Sequence, residues 1–146
     1  MSISQALRWL NMNGIKSLSD FLLQGKTSGK KVASGNLTQS GSQIYFTDCN
    51  GMQVYANPVL VNTLDFKPSM IILIARPSSY SSPSNFYSTV YCANGLDGSN
   101  TATIYTVRGT STFKFYKLGD NGFVNTTGFR LPTDAVGVSI DWYAFE

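Results

Sequence analysis

The sequence predicts a mainly β protein, an antiparallel sandwich or barrel that follows a short helical segment at the N-terminus. Apolar residues recur about every four positions in the first 25 residues and about every second position after residue 31. In that later part, four Asn-Gly or Asp-Gly dipeptides separate the runs, and such dipeptides tolerate the positive φ angles of tight hairpins. Short strands with a turn signal about every ten residues are typical of a sandwich or a barrel.

The N-terminal segment, residues 1–25, has the pattern of two short helices. Ser17 is a suitable N-cap for the second helix, and Gly25 would end it. A polar, glycine-bounded linker follows at residues 26–31. The apolar residues at helical spacing are Ile3, Leu7 and Leu10 in the first helix and Leu18, Phe21 and Leu22 in the second.

The rest of the chain, residues 32–146, is expected to form one β domain, because a chain of 146 residues suits a single core. Residues 70–75 form the one continuous apolar run, so this strand should lie at the centre of the fold with both faces covered. The predicted strands are 31–38, 43–47, 53–64, 70–76, 86–92, 101–107, 112–118, 123–129 and 136–145.

The last predicted strand alternates most clearly. Its core face is predicted to carry Val136, Val138, Ile140, Trp142 and Ala144. The opposite face includes Tyr143 and Phe145. This aromatic pair should pack under the N-terminal helices or meet another chain, since an apolar patch left in water is an association site.

The charge pattern does not indicate a nucleic-acid partner. Charged residues make up 13% of the chain and the net charge is only +3. The stretch from Phe113 to Lys117 interleaves basic and aromatic residues, as single-strand nucleic-acid platforms do. Strand alternation favours a different interpretation, in which Phe113 and Phe115 face the core and Lys114 faces solvent.

Residue types that commonly carry catalysis are scarce. The chain has no histidine, and its single glutamate is Glu146. Most aspartates stand beside Gly, Asn or Pro and are predicted to be turn residues. Asp48-Cys49-Asn50-Gly51 resembles a calcium loop but lacks its terminal glutamate. We therefore predict no enzyme activity, no catalytic residue, no metal and no cofactor.

The two cysteines, Cys49 and Cys92, are expected to be reduced and buried, because a domain of this size does not need a disulfide. No basic region followed by an apolar run marks an export signal. The longest apolar stretch is far below the roughly 18 residues of a membrane span. We expect neither secretion nor a membrane span.

Three tyrosines are the candidates for surface contact. Tyr80 lies in a Ser/Pro-rich stretch, residues 77–84, that is typical of a surface loop, which is more often a plain connection than a contact loop. Tyr87 and Tyr143 lie on predicted strands. Exposed tyrosine faces can stack on sugar rings, so we name these three as tentative contact or glycan-binding residues.

Three stretches of the β domain resemble tail-associated structural proteins and tail-fibre domains of siphophages and prophages of Bacillus and related Gram-positive bacteria. The resemblance covers about residues 30–146. The stretches are Lys30-Lys31-Val32-Ala33-Ser34-Gly35, then residues 61–72, and lastly Gly128-Phe129-Arg130-Leu131-Pro132 together with Trp142-Tyr143-Ala144-Phe145-Glu146.

This resemblance implies an antiparallel, jelly-roll-like β-sandwich similar to the shoulder module of phage receptor-binding proteins, which often form trimers. It also implies a non-enzymatic structural protein of the virion, part of or accessory to the tail tip or baseplate adsorption apparatus, made in the bacterial cytoplasm. Its partners would be other tail proteins. The alternative is a carbohydrate-binding module for host cell-wall polymer, and a wall hydrolase is a third reading that no residue set favours.

Overall fold

The computed structural model describes residues 30–39, 41–76, 87–95, 101–109 and 112–146. The predicted helices at 1–25, most of the linker and Tyr80 lie outside these ranges. The described residues contain strands and no helix. The strands are β1 Val32–Thr38, β2 Ile44–Thr47, β3 Gln53–Val61, β4 Met70–Arg76, β5 Tyr87–Cys92, β6 Thr103–Arg108, β7 Thr112–Lys117, β8 Phe123–Val124, β9 Phe129–Thr133 and β10 Ser139–Phe145.

The described strands form two antiparallel sheets. The six-stranded sheet has the order β1-β10-β4-β5-β6-β7, and the four-stranded sheet has the order β2-β3-β9-β8. Each strand pair is antiparallel. The prediction of a mainly β, antiparallel fold is therefore confirmed.

Strand β4 occupies the centre of the six-stranded sheet, as its continuous apolar sequence predicts. It pairs with β10 on one side and β5 on the other. Ile71 and Ile72 point to opposite faces of the sheet, yet they are only 0% and 3% exposed. A strand covered on both faces has no need of polar alternation, which explains its uniform composition.

The hydrophobic core lies between the two sheets. Phe129 of β9 and Trp142 of β10 meet edge to face at its centre, with ring centroids 5.9 Å apart. Thr89 of β5 is fully buried, and its hydroxyl donates a hydrogen bond of 2.8 Å to the carbonyl oxygen of Pro132 in β9. Apolar burial and one buried polar bond therefore connect the sheets.

The two sheets also meet at one edge. Asp48, which follows β2, forms an isolated antiparallel bridge with Tyr116 of β7. The amide of Cys49 donates to the carbonyl of Phe115 at 3.1 Å. The end of β2 thus continues the hydrogen bonding of the six-stranded sheet beyond β7.

The strand predicted at residues 123–129 is wrong. The structure divides this region into β8 and β9, because Asn125 forms a turn between them. Its side-chain oxygen accepts bonds from the amides of Thr127 and Gly128 at 2.9 and 3.0 Å. β9 then runs through Pro132, a residue that argues against a strand when only the sequence is read.

The last strand is shorter than predicted. β10 begins at Ser139, and Gly137 before it adopts a φ of 62° that breaks the extended backbone. Val136 is consequently 66% exposed and does not face the core as predicted. Ile140, Trp142 and Ala144 do face it, in agreement with the prediction.

The predicted facing of β7 is wrong. Tyr116 points into the core and is 1% exposed, whereas Phe115 is 45% exposed on the opposite face. Lys114 shares the face of Tyr116 and reaches Asp134 at 3.3 Å. Strand alternation correctly assigns Phe115 and Tyr116 to opposite faces of β7. Hydrophobicity alone assigns the wrong face to the core, because the large buried aromatic residue is a tyrosine and the exposed one is a phenylalanine.

Both cysteines are free thiols, but Cys49 is exposed and the prediction that it is buried is wrong. Cys49 lies in the turn between β2 and β3 rather than on a strand. The turn is held by Asp48, whose carboxylate accepts bonds from the amides of Asn50 and Met52 at 2.9 and 2.8 Å. Asp48 is thus a turn residue, as its sequence context predicts.

Candidate functional site

The structure places the tentative contact tyrosines apart. Tyr87 of β5 lies on the core face of the six-stranded sheet, half-buried, with the guanidinium of Arg108 5.6 Å from its ring centroid. Tyr143 of β10 lies on the opposite face of the same sheet, opposite Ile72 of β4. Tyr80 lies outside the described residues. Tyr87 and Tyr143 therefore cannot line one binding platform.

An exposed apolar patch lies on the β2–β3 hairpin. We define this hairpin patch by Tyr45, Met52 and Tyr55, which are 38%, 65% and 64% exposed. The two tyrosines are directly opposite in the strand pair, and their rings meet edge to face with centroids 6.2 Å apart. Such a pair presents a preformed aromatic surface at low entropic cost, a property that favours it as a contact site.

The fold of the hairpin explains why these side chains are exposed. Phe46 lies between Tyr45 and Thr47 on β2 and points into the core at 1% exposure. Its neighbours must point outward, because successive strand residues alternate. The alternation of Ile44-Tyr45-Phe46 was the sequence signal for this patch, but it does not say which of the two aromatic residues is buried.

A groove lined by residues of both sheets is the second candidate site. We call it the Arg130 groove. Its volume is about 480 Å³, which lies in the range of roughly 300–1,000 Å³ that small-molecule sites occupy. Half of its lining residues are apolar, and 47% of Leu60 is exposed there. The lining residues are Leu37, Thr38, Gln39, Ile44, Pro58, Leu60, Asn121 and Arg130.

The polar residues of the Arg130 groove come from separate segments. Arg130 of β9 lies over the ring of Phe123, with the guanidinium carbon 5.4 Å from the centroid. Asn121 donates to the carbonyl of Tyr45 at 2.9 Å and so connects the groove to the hairpin patch. Gln39 is 2% exposed, and its Nε2 has no hydrogen-bond partner in the described part of the chain. The groove combines one cation, two amides and an apolar wall.

The described aspartates have separate roles. Asp65 pairs with Lys31 at 3.0 Å, and Asp134 pairs with Lys114. Asp141 accepts a bond of 2.7 Å from the side-chain amide of Asn36. Within the described ranges, histidine, cysteine, aspartate and glutamate side chains do not gather in groups of three that could hold a metal ion.

No helix in the described ranges is long and apolar enough to cross a membrane.

The chain and its structure were also compared with known proteins. Comparison with family models, with curated proteins and with solved structures found no match for the chain.

Proposed function

We propose that the chain is a non-enzymatic phage structural protein, part of or accessory to the tail tip or baseplate, and that it acts through protein–protein assembly. Its partners are other tail proteins, its location is the virion, and its oligomer is a trimer. The sandwich is jelly-roll-like, similar to the shoulder module of receptor-binding proteins. The three resembling sequence stretches support this proposal, together with one structural observation, the hairpin patch.

The hairpin patch supports assembly because it exposes large apolar side chains on a hairpin whose turn is held by the carboxylate of Asp48. Tyrosine is enriched in the centres of protein interfaces, where its ring is buried and its hydroxyl can still be hydrogen-bonded. Tyr55 and Met52 are each about two-thirds exposed in the single chain. Burial against a partner would remove this apolar area from water and so stabilise the assembly.

A substitution in the hairpin patch tests the assembly proposal. Met52→Ser combined with Tyr55→Ser removes the apolar area and keeps the turn bonds of Asp48 to the backbone. The matched control is Gln53→Ser, which changes an exposed polar residue of the same hairpin. We expect light scattering to show a defined oligomer for the original chain and the control, and a monomer for the patch variant.

Co-sedimentation with assembled tails is the accompanying measurement. The original chain and the Gln53→Ser control are expected to sediment with tail particles, whereas the patch variant stays in solution. A monomeric original chain that is absent from the particles would contradict the proposal.

The second candidate function is a carbohydrate-binding module for host cell-wall polymer, and the Arg130 groove favours it. Sugar rings present an apolar face and several hydroxyls, and the groove offers Leu60 as an apolar wall beside Arg130 and Asn121. Loss of a charge-assisted hydrogen bond costs about 1.5–3 kcal/mol, which corresponds to roughly tenfold weaker binding or more.

Titration of purified cell-wall polysaccharide tests this second function. Arg130→Gln should weaken binding about tenfold. Lys67→Gln is the matched control, since Lys67 is exposed and does not line the groove. Serine variants of Tyr80, Tyr87 and Tyr143 form the second arm. Unchanged affinity in all four variants would remove the glycan-binding proposal.

A further inference from the structure

The Arg130 groove carries a positive charge that is not paired with a negative one. Among the described residues that line it, Arg130 is the only charged side chain, and its guanidinium has no carboxylate partner there. Strand pairing places Arg130 between Leu60 of β3 and Phe123 of β8, and the guanidinium lies over the Phe123 ring. A contact with a ring face leaves the N–H groups along the guanidinium edge free to donate.

Gln39 adds a second donor to the same groove. Its side-chain oxygen Oε1 accepts a bond from the amide of Gly137 at 3.4 Å, and this bond fixes which end of the side-chain amide is the nitrogen. Gln39 is 2% exposed, yet its Nε2 has no partner among the described residues. A buried N–H group without an acceptor is unfavourable, so a ligand that brings an acceptor would satisfy it.

The other polar residues of the groove suit a ligand that carries hydroxyl groups. Asn121 donates its Nδ2 to the carbonyl of Tyr45 at 2.9 Å, which leaves its Oδ1 as an acceptor for a ligand O–H. Thr38 at the end of β1 is exposed, and its hydroxyl can donate or accept. Pro58 and Leu60 form an apolar wall, which suits the C–H face of a sugar ring.

We propose that the Arg130 groove binds an acidic sugar and that Arg130 and Gln39 hold its carboxylate or phosphate. This inference rests on the glycan-binding function of the groove and adds the charge of the sugar to it. The planar fork of arginine forms paired hydrogen bonds with either anion. An ionised acid offers acceptors only, and acceptors are what the guanidinium and the buried amide nitrogen lack.

Titration calorimetry with two matched pairs of sugars tests the proposal. The first pair is digalacturonic acid and its uncharged dimethyl ester, and the second is glucose 6-phosphate and glucose. We expect at least one acid to bind about tenfold more tightly than its neutral counterpart. The pair that shows this preference distinguishes a carboxylate ligand from a phosphate ligand.

Variants of the groove locate the anion. Arg130→Gln should remove the preference for the acid and leave the affinity for the neutral sugar unchanged. Lys67→Gln removes an exposed charge outside the groove and should retain the preference. A second comparison does not depend on Arg130: Thr38→Asp and Thr38→Asn place side chains of equal size at the exposed rim. Only Thr38→Asp adds a negative charge, so it alone should weaken binding of the acid several-fold.

Four results would overturn the proposal. Equal affinity for the acid and the neutral sugar in both pairs would do so and would leave glycan binding in place. A preference that persists in Arg130→Gln would place the anion elsewhere. Tighter binding of the peptide acid N-acetyl-Ala-Ala than of either acidic sugar would identify a different class of ligand. Absence of binding to all four sugars is the last, and titration of purified cell-wall polysaccharide then decides whether the glycan-binding function itself survives.

Discussion

The two sheets differ in how regularly their strands are built. In the six-stranded sheet, alternate residues keep to one face from end to end of each strand. Residues that are directly opposite in neighbouring strands therefore form rows that cross all six strands without interruption. In the four-stranded sheet, β3 changes its inward face: Val54 and Ala56 face the core in its first half, and Val59 and Val61 in its second. The change coincides with a change of partner, from β2 to β9. Side chains alternate regularly throughout the six-stranded sheet, whereas the alternation is interrupted in β3. We therefore expect the stability of the two sheets to respond differently to substitution.

A pair of prolines shows how the irregular sheet remains hydrogen-bonded. Pro58 of β3 lies directly opposite Pro132 of β9. In a non-hydrogen-bonded antiparallel pair, the N–H and C=O groups of both residues point away from the partner strand. A proline at such a position therefore breaks no hydrogen bond between β3 and β9. β2 and β8 are too short to reach these positions. The carbonyl of Pro132 is therefore available to Thr89 of the other sheet.

The largest expected difference between the sheets is the loss of stability when a glycine is replaced by alanine, at Gly128 and at Gly35. A Cβ at Gly128, beside the four-stranded sheet, would overlap the backbone of Val61 and Asn62, which cannot move independently of β3. A Cβ at Gly35, in β1, would lie 2.7 Å from the ring of Trp142, a side chain that can shift. Gly128→Ala should lower the free energy of unfolding by about 4 kcal/mol or more, and Gly35→Ala by about 1–3 kcal/mol.

Urea unfolding of both variants checks this order. Thr126→Ala is the control, since it changes an exposed residue of the same turn as Gly128 and should alter stability by less than about 0.5 kcal/mol. An equal loss in the two glycine variants would mean that the backbone of β3 adapts as easily as a tryptophan ring.

The regularity of each sheet also decided how much of it the sequence could predict. The predicted bounds of β4 are those observed, and the predicted bounds of the other strands of the six-stranded sheet, apart from β10, lie within two residues of the observed ones. A continuous apolar run predicts β4, and in the neighbouring strands the period of two persists and turn residues follow. The sequence does not predict β9, because Pro132 lies inside it and because Asn125 forms a turn within residues 123–129, which have the pattern of one strand.

The candidate sites were less predictable than the strands. Tyr45 and Phe46 are adjacent aromatic residues, and only the packing of β2 against the other sheet shows which one is exposed. The Arg130 groove gathers residues from several separate parts of the sequence, including Leu37 and Asn121, so no local pattern indicates it. Local sequence therefore predicts elements well, and it predicts surfaces formed between distant segments poorly.

An effect of intermediate size is expected at the edge where the two sheets join. Burial raises the pKa of Tyr116 to about 12, and the negative charges of Asp134 and Asp48 add to the rise. The ordinary pKa of tyrosine is 10.0, so below that pH the hydroxyl is neutral in the folded and in the unfolded chain. The neutral hydroxyl then makes its full contribution to the free energy of unfolding. As the pH rises from 10 to 12, the unfolded chain ionises first and stability falls, by about 2 to 3 kcal/mol at most.

Urea unfolding at pH 8.5 and at pH 11 measures this effect. We expect Tyr116→Phe to lose less stability than the original chain over this interval, by about 1 kcal/mol. Part of the loss should remain in the variant, because burial also raises the pKa of Tyr91 and of Tyr105. An identical pH dependence in the two proteins would show that Tyr116 does not remain neutral in the folded chain.

The smallest expected effects concern two threonines that differ in one hydrogen bond. Thr89 and Thr106 are directly opposite on β5 and β6, and both are buried, with 0% and 1% exposure. The Thr89 hydroxyl bonds Pro132, whereas the Thr106 hydroxyl has no partner among the described residues. Thr89→Val should therefore destabilise the protein by about 1–2 kcal/mol, because it leaves the carbonyl of Pro132 unsatisfied. Thr106→Val should stabilise it by about 0.5–1 kcal/mol.

The opposite signs make this pair informative, since the chemical change is the same at both positions. Each substitution replaces a hydroxyl with a methyl group at nearly constant volume and keeps the β-branched shape that strands favour. A general effect of hydrophobicity would stabilise both variants, and a general intolerance of the core would destabilise both. Only the bond between Thr89 and Pro132 predicts a loss of stability in Thr89→Val and a gain in Thr106→Val. If urea unfolding shows changes of equal sign in the two variants, this bond does not stabilise the contact between the six-stranded and the four-stranded sheet.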